Sequence, residues 1–508
     1  MKIFLLEHPR LIAAARCNDI ANTPLSSSLI SGCIAGLLDS RGHDIWIAEG
    51  FLDNLTYKDI YEQIIAFAPQ VLGVHLIYNW ENHGQLYSFL KQLKSEGLIQ
   101  KIVGYGYYTT FAYEEIFELC PEFDGLIIGE PEQTFAEWLE CGDGVNGMAW
   151  VDTAGQIQIV RREVNCNLDA LPDPIRTDAM MGIGEVNIES SRGCYGRCTF
   201  CYINPYYGAG SCWRPKSPER VMQEIDRIIA RYGPVKFYFT DPNFMGPGKQ
   251  GQERALKLAA LLKERKVHFG IEARVNDIHQ DTIAALADAG LKDMLIGLES
   301  GCNDSLKRLN KMTTVEQNER ALSILRANGI EPNVGFIMFE PDSSLIDIRT
   351  NFQFLKRNGL LKNLFITANV LYHPQIILQG TKAYRDLQQE GRLILKGTTY
   401  EGMTAFSVPE AARLAEIIGQ ITNYFFVRMN EVWKGKVQEP SHASRLYGDA
   451  NRLLVNCFEE NLSRLEAGEF IDEQAARVVV DEVTKKIKSI FEQFHTNVQN
   501  IGGKSCHF

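Results

Sequence analysis

Two apolar rhythms alternate along most of this chain. Short runs rich in β-branched and aromatic residues read as strands, and apolar positions at helical spacing read as helices between them. Strands are predicted at 2–7, 44–48, 71–78, 101–106 and 125–129, with helices near 26–41, 57–67, 83–96, 112–119 and 133–140. That alternation builds a parallel sheet with helices on both faces, here over residues 1–150. After a linker at 151–184, a second series fills 185–385, with strands at 185–190, 236–240, 268–273, 293–297, 333–339 and 365–371. Its helices are expected at 218–232, 253–264, 280–289 and 344–357, plus one opened by a capping box at Thr313-Thr-Val-Glu316. Ser217 and Pro218 suit the N-cap and first position of the helix at 218–232. Strands alternating with helices in this way form a βα barrel, whose active residues gather at the carboxyl ends of the strands. From 386 to 508 the pattern is helical (411–433, 443–467, 472–494), with an apolar spacing that makes a packing face and could cap the barrel mouth.

The fold class is therefore α/β: an N-terminal flavodoxin-like (Rossmann-type) open sheet, a partial (β/α)6 barrel and a C-terminal helical region. Composition narrows the reading little, since 508 residues at 45% hydrophobic and 23% charged are ordinary for a globular protein. Charge does more. A net charge of −11 disfavours a broad nucleic-acid surface, which needs basic patches. No apolar run approaches the ~20 residues of a membrane span. The opening run to His8 is interrupted by Glu7, unlike a signal peptide. A reducing cytoplasm is the expected location, with no nucleic-acid partner and no membrane span.

The chemistry concentrates in Ser190-Ser-Arg-Gly-Cys-Tyr-Gly-Arg-Cys-Thr-Phe-Cys-Tyr202, where Cys194, Cys198 and Cys201 are spaced C-x3-C-x2-C. Zinc usually takes four ligands in paired knuckles, and no second knuckle lies nearby. A disulfide framework belongs to secreted chains. Three thiolates instead suit a [4Fe–4S] cube with one iron left open. This spacing, with Phe200 before the third cysteine, resembles the radical S-adenosylmethionine (SAM) enzymes. The resemblance implies that the open iron chelates SAM, that an electron splits it, and that the deoxyadenosyl radical abstracts a substrate hydrogen. It also implies an electron donor such as flavodoxin or ferredoxin.

Further motifs fall at predicted strand ends. Phe239-Thr-Asp-Pro-Asn-Phe244 resembles the family segment that meets the amino group of SAM, through Thr240 and Asp241. Glu272 and Arg274 end the third strand of the second series, where the resemblance puts the ribose and carboxylate of SAM. Gly297-Leu-Glu-Ser-Gly301 matches a recurring family motif, which implies Glu299 as a polar SAM contact, and Glu340 lies in Met338-Phe-Glu-Pro-Asp342 after the fifth strand, where the resemblance puts adenine.

Residues 1–150 resemble the cobalamin-binding domain of one radical SAM subgroup, through Pro24-Leu-Ser-Ser-Ser-Leu, Arg41-Gly-His-Asp and Gly125-Leu-Ile-Ile-Gly-Glu-Pro-Glu132. The match is incomplete. There is no D-x-H-x-x-G to supply a cobalt ligand, and the family's Gly-Gly pair appears as Tyr105-Gly106. A tyrosine there would obstruct the nucleotide tail, and Tyr105, Tyr107 and Tyr108 could fill the site. The domain is expected to serve as scaffold or substrate platform, with cobalamin occupancy as the alternative. His75 is expected as a core or strand-end histidine and His83 as a surface one; neither has a patterned partner.

Three outcomes fit a substrate radical: methyl transfer with cobalamin, epimerisation by a thiol hydrogen donor, or loss of water from a diol. Cys302 and Cys212 are the candidate donors, although a free cysteine is commonly a small buried filler. The segments 309–314 and 335–341 resemble a subgroup holding peptide epimerases of ribosomal natural products and sugar dehydratases. The leading expectation is epimerisation of L- to D-residues in a precursor peptide. Cobalamin-dependent C-methylation and sugar dehydration are the alternatives, with a small-molecule substrate. Cys506-His507 reads as a disordered tail.

Overall fold

The structure is a computed structural model that describes residues 1–508 except 12–13, 23–28, 80–81, 209–212, 434–436 and 497–508. Cys212, Pro24 to Ser28 and the Cys506-His507 tail therefore lie outside the described residues.

The N-terminal sheet follows the expected rhythm closely: β1 (Lys2–Glu7), α1 (Leu29–Ser40), β2 (Asp44–Glu49), α2 (Tyr57–Phe67), β3 (Val71–His75), α3 (His83–Ser95), β4 (Lys101–Tyr105), α4 (Tyr107–Phe111), α5 (Tyr113–Leu119), β5 (Gly125–Ile127) and α6 (Pro131–Cys141). The parallel order is β2-β1-β3-β4-β5. A hairpin of β6 (Met148–Val151) and β7 (Ile157–Val160) extends the sheet antiparallel beyond β5, past the expected limit at residue 150. Separate apolar cores cover the two faces, one with Leu72, Leu90 and Ile116, the other with Leu5, Ile34 and Trp138. Burial on both faces accounts for the nearly continuous apolar strands.

A short helix α7 (Asp178–Gly182) leads to β8 (Glu185–Ile188), then to β9 (Ser191–Arg192), α8 (Ile203–Tyr207) and β10 (Arg214–Pro215). There follow α9 (Pro218–Tyr232), β11 (Lys236–Phe239), α10 (Gly248–Arg265), β12 (Phe269–Arg274), α11 (Gln280–Asp288), β13 (Leu291–Glu299), α12 (Asn303–Arg308), α13 (Val315–Ala327), β14 (Asn333–Phe336) and α14 (Leu345–Arg357). Five strands form one parallel sheet in the order β14-β13-β12-β11-β8. Their alternate residues, among them Phe237, Phe239, Ile271 and Ile296, are buried in the core under the helices. The other set, including Tyr238, Glu272 and Gly297, is half-buried and lines the opposite face.

The expected sixth strand at 365–371 is instead a helix, α15 (Leu364–Tyr372). Its apolar run cannot be told from a strand by periodicity alone. Asn363 is its N-cap, accepting from the backbone of Phe365 and Ile366 at 2.9 and 3.4 Å. The sixth position keeps only a parallel bridge between Phe339 and Pro374. The capping box of α13 is also displaced by one residue, to Thr314 with Gln317. Ser217 caps α9 as expected.

After α15 come β15 (Ile377–Leu378), α16 (Lys382–Gln389), β16 (Ile394–Leu395), β17 (Glu401–Met403), α17 (Pro409–Trp433), α18 (Ala443–Glu466) and α19 (Glu473–Phe491). Helices α17 to α19 share one core with the five-stranded sheet; α17 and α18 pack against α14 and α15, and α19 against α17 and α18. Among the described residues no helix is long and apolar enough to cross a membrane.

Candidate active site at the cysteine loop

The cysteine loop leaves β8 and is tied at its base by a two-residue ribbon, in which Ser191 pairs with Pro215 and Arg192 with Arg214. Asp241, just past β11, fixes that base. Its carboxylate accepts from Ser190 N at 2.6 Å, from Ser191 Oγ at 2.9 Å and from the Ser190 hydroxyl. Burial raises its pKa, and Arg254 and the serine hydrogen bonds oppose that shift. Arg254 in turn donates to Ser190 O at 2.7 Å and Lys216 O at 3.0 Å. Both Asp241 oxygens are thus engaged in holding the loop. Thr240 stands beside it with an exposed side chain.

Within the loop, Gly196 N donates to Cys194 Sγ at 3.3 Å, and Arg274 Nη1 lies 3.4 Å from Cys198 Sγ. Arg274 ends β12, sits over the ring of Tyr195 at 5.2 Å and donates to Lys311 O at 2.7 Å. Its guanidinium lies on Gly196, where a Cβ would collide with Nη1. Asn310 donates to Arg197 O at 2.7 Å, and Thr199 N to Leu309 O at 3.0 Å, so the segment after α12 clamps the loop. Burial pushes the Cys201 thiol up to about 12, with Cys198 adding to the shift and Lys311 opposing it. Three thiols with a guanidinium and an amide directed at sulfur fit an anionic iron–sulfur cluster, which deprotonates its cysteines on binding. Phe200 is half-buried between Cys198 and Cys201.

Glu299, the last residue of β13, has φ of +63°, and the register of β13 against β14 shifts there. A left-handed glutamate costs about 1 kcal/mol or more, and such strain marks functional positions. Its carboxylate pairs with Lys311 at 2.8 Å, both side chains largely buried. Lys311 was not singled out from the sequence, although it lies in the motif at 309–314. The structure thus brings Arg274, Glu299 and the three cysteines to one end of the sheet.

Two expected site residues lie together elsewhere. Glu340 pairs with Arg308 at 2.5 Å, and Arg308 with Asp347 at 3.0 Å. Cys302 Sγ donates to Asp347 Oδ1 at 3.3 Å. The Cys302 thiol is therefore engaged with the first turn of α14.

Glu272 faces Tyr238 on the half-buried side of β12 and β11, accepting its hydroxyl at 3.1 Å. Burial lifts the Glu272 carboxyl to about 7, with the Tyr238 bond opposing. Between its unfolded value near 4.5 and about 7, the folded state keeps a proton that the unfolded state releases. Stability therefore falls as pH rises through that window and levels off above it. Glu272→Gln should remove a slope worth on the order of 2 kcal/mol between pH 5 and 7, read from denaturant midpoints. An unchanged slope would refute this assignment.

Carboxyl ends of the N-terminal strands meet the same loop. Tyr107 packs on Tyr202 and Tyr206, with ring centroids at 4.7 and 4.4 Å. Arg192 pairs with Glu130 at 2.9 Å, Glu132 at 2.5 Å and Glu189 at 2.8 Å, and Arg214 with Glu130 at 3.0 Å. The three tyrosines expected as one plug diverge. Tyr105 is fully buried between the sheet and α1, sharing a hydrogen bond with Ser31 at 2.8 Å. Tyr107 faces the cysteine loop, and Tyr108 bonds Glu115 at 2.5 Å. His83, expected at the surface, is 4% exposed and stacks on Tyr108. Burial brings its pKa down to about 3, against a weaker pull from Glu115.

Residues 188–355 match the Radical SAM superfamily. That segment is a radical SAM domain. It is 29% identical over 344 residues to 4'-phospho-dehydrooxetanocin synthase of Priestia megaterium, covering 60% of this chain but 45% of that protein. It is 21% identical over 414 residues to cytidylyl-2-hydroxyethylphosphonate methyltransferase of Streptomyces wedmorensis, covering 68% of this chain and 76% of that one. Among solved structures, the cobalamin-dependent radical enzyme OxsB with aqua-cobalamin and SAM bound aligns with a TM-score of 0.78 at 21% identity, over 97% of this chain and 80% of that one. TsrM of Kitasatospora setae, with cobalamin and a [4Fe–4S] cluster bound, aligns at 0.64 and 11% identity, over 96% and 99%. At such identities these likenesses establish the fold. A radical SAM domain implies a [4Fe–4S] cluster and SAM. The expected peptide epimerase finds no support among these relatives, whereas the methyltransferase alternative does.

Proposed function

We propose that this protein is a corrinoid-dependent radical SAM enzyme acting at an unactivated carbon of a polar small molecule. One observation carries the reading: the carboxyl ends of β4 and β5 abut the cysteine loop through Tyr107, Glu130 and Arg192. A corrinoid over the N-terminal sheet and a cluster on the loop would then share one crevice. Named methyltransferases among the relatives, and solved neighbours holding cobalamin, support it. Tyr105 fills the slot under α1, so a nucleotide tail is not assigned there.

When bound, the cluster supplies the electron that splits SAM into a hydrogen-abstracting radical. A bound corrinoid supplies a methyl group or a second redox centre. Cys194, Cys198 and Cys201 hold the cluster, and Arg274 balances charge on the sulfurs. The Glu299–Lys311 pair and Thr240 meet the polar groups of SAM, while Asp241 positions the loop. Glu272 and Tyr238 offer a proton-exchanging pair to a polar substrate.

Anaerobically reconstituted protein should hold about four irons, retain equimolar hydroxocobalamin through gel filtration and release 5'-deoxyadenosine from SAM when reduced. A loaded cluster without deoxyadenosine would sink the enzyme reading. Deoxyadenosine formation without corrinoid retention would remove the corrinoid alone.

A further inference from the structure

Beyond the cysteine loop, the ends of β1 and β3 gather a buried polar group that the barrel does not use. Strand order reverses between β1 and β3. In open α/β sheets such a switch point opens a crevice beyond the strand ends, where ligands bind. Glu7 ends β1 and His75 ends β3, and their side chains are 1% and 0% exposed. His75 Nδ1 lies 2.8 and 2.9 Å from the two Glu7 oxygens. Glu7 also accepts from Arg10 and Ser31, each at 2.5 Å. A carboxylate facing a guanidinium and a hydroxyl acts as acceptor, so the imidazole proton sits on Nδ1.

That leaves Nε2 as a lone pair. It is buried and has no hydrogen-bond partner among the described residues. Tyr105 stacks on the ring, with centroids 5.3 Å apart and planes at 11°. At the edge of the ring that carries Cδ2 lies Gly106, with φ of +122°, where a Cβ would come within 2.9 Å of Cδ2. Burying an ionised carboxylate is expensive, and an apolar side chain would pack at this position without it.

We propose that His75, through Nε2, is an axial ligand to the cobalt of the corrinoid, with Glu7 fixing its tautomer. The proposal rests on the corrinoid reading above. Metal-bound histidines commonly donate their other N–H to a carboxylate, which orients the ring and raises its basicity. His8 and His83 also keep ring nitrogens without partners among the described residues. The other ring nitrogen of His8 meets Pro9 O at 2.8 Å, its ring lies 5.3 Å from that of His83, and His83 is stacked on Tyr108. The carboxylate tie selects His75.

The test uses the full chain, loaded anaerobically with hydroxocobalamin, gel-filtered and reduced to the cob(II) state. Its paramagnetic resonance spectrum should show three-line nitrogen splitting. Protein grown on ring-15N histidine should show two lines instead, which excludes the corrinoid's own base as the nitrogen source. His75→Gln should retain corrinoid and lose the splitting, while His8→Gln and His83→Gln keep it. Splitting unaffected by labelled histidine, or lost in His8→Gln or His83→Gln, overturns the assignment. So does a retained corrinoid with no nitrogen splitting in the wild type. Should His75→Gln fail to fold, the labelled wild type and the other two variants decide the matter. Failure of the wild type to retain corrinoid removes the corrinoid reading along with the ligand, and so is distinguishable from loss of the ligand alone.

Discussion

Cys198→Ser is expected to leave a folded chain that holds little iron and forms almost no 5'-deoxyadenosine from SAM. Cys198 is half-exposed, and its thiol contacts Arg274 without filling a core position. The fold therefore loses little with it. The metal loses much, because serine offers a hard hydroxyl in place of a soft thiolate. Structural zinc sites with four ligands bind with about 10–16 kcal/mol. By that analogy one thiolate accounts for about 3–4 kcal/mol, or two to three orders of magnitude in metal retention. Iron content, the cluster absorbance and deoxyadenosine formation should fall together, with far-ultraviolet circular dichroism unchanged. A variant holding a full complement of iron and cleaving SAM normally would mean that the cluster has another ligand.

Arg192→Met should have the largest effect on stability. Arg192 is 5% exposed and serves Glu130, Glu132 and Glu189 at once. Burial opposes its charge, but Glu132, Glu189 and Glu130 hold the guanidinium pKa well above its usual value. Methionine would fill the space and leave the carboxylates short of a counter-charge. Arg214 still reaches Glu130, and Lys216 lies 4.0 Å from Glu189, but Glu132 has no comparable substitute. Removing one member of a buried ion pair costs about 3–5 kcal/mol, a fall in melting temperature of about 3–5 °C for a chain of this length. Arg192→Met combined with Glu132→Gln should recover part of the loss, since the stranded charge goes with it. A single variant melting within a degree or two of wild type would show that water reaches these carboxylates.

This cage also shows why parts of the site escaped the sequence. Arg192 and Glu132 are 60 positions apart and meet only because the ends of β5 and β8 come together. No spacing rule links them. Lys311 likewise meets Glu299 across the whole of α12. His75 shows the reverse: it reads as a strand-end histidine, and it is one, but its partner Glu7 lies on a neighbouring strand. The hairpin at 148–160 is not legible in the sequence because its strands are four residues each and β7 is exposed on both faces. Cys302 was placed near the reaction zone by its position after β13, and only the packing of α14 shows its thiol engaged with Asp347.

By itself the sequence determined the local elements and the chemistry they carry. Period-two and period-3.6 patterns set nearly every strand and helix of the N-terminal sheet, because burial on a pleat or a helix face is written in neighbouring residues. The three-cysteine spacing pointed to a cluster for a similar reason: the three thiols lie within one loop. Tertiary structure alone decided whether 364–372 would be helix or strand. It also decided which acids line the barrel and which brace it, and it joined the two strand-end surfaces. Those outcomes depend on contacts between residues tens of positions apart, whose free energy exists only once the chain has closed around them.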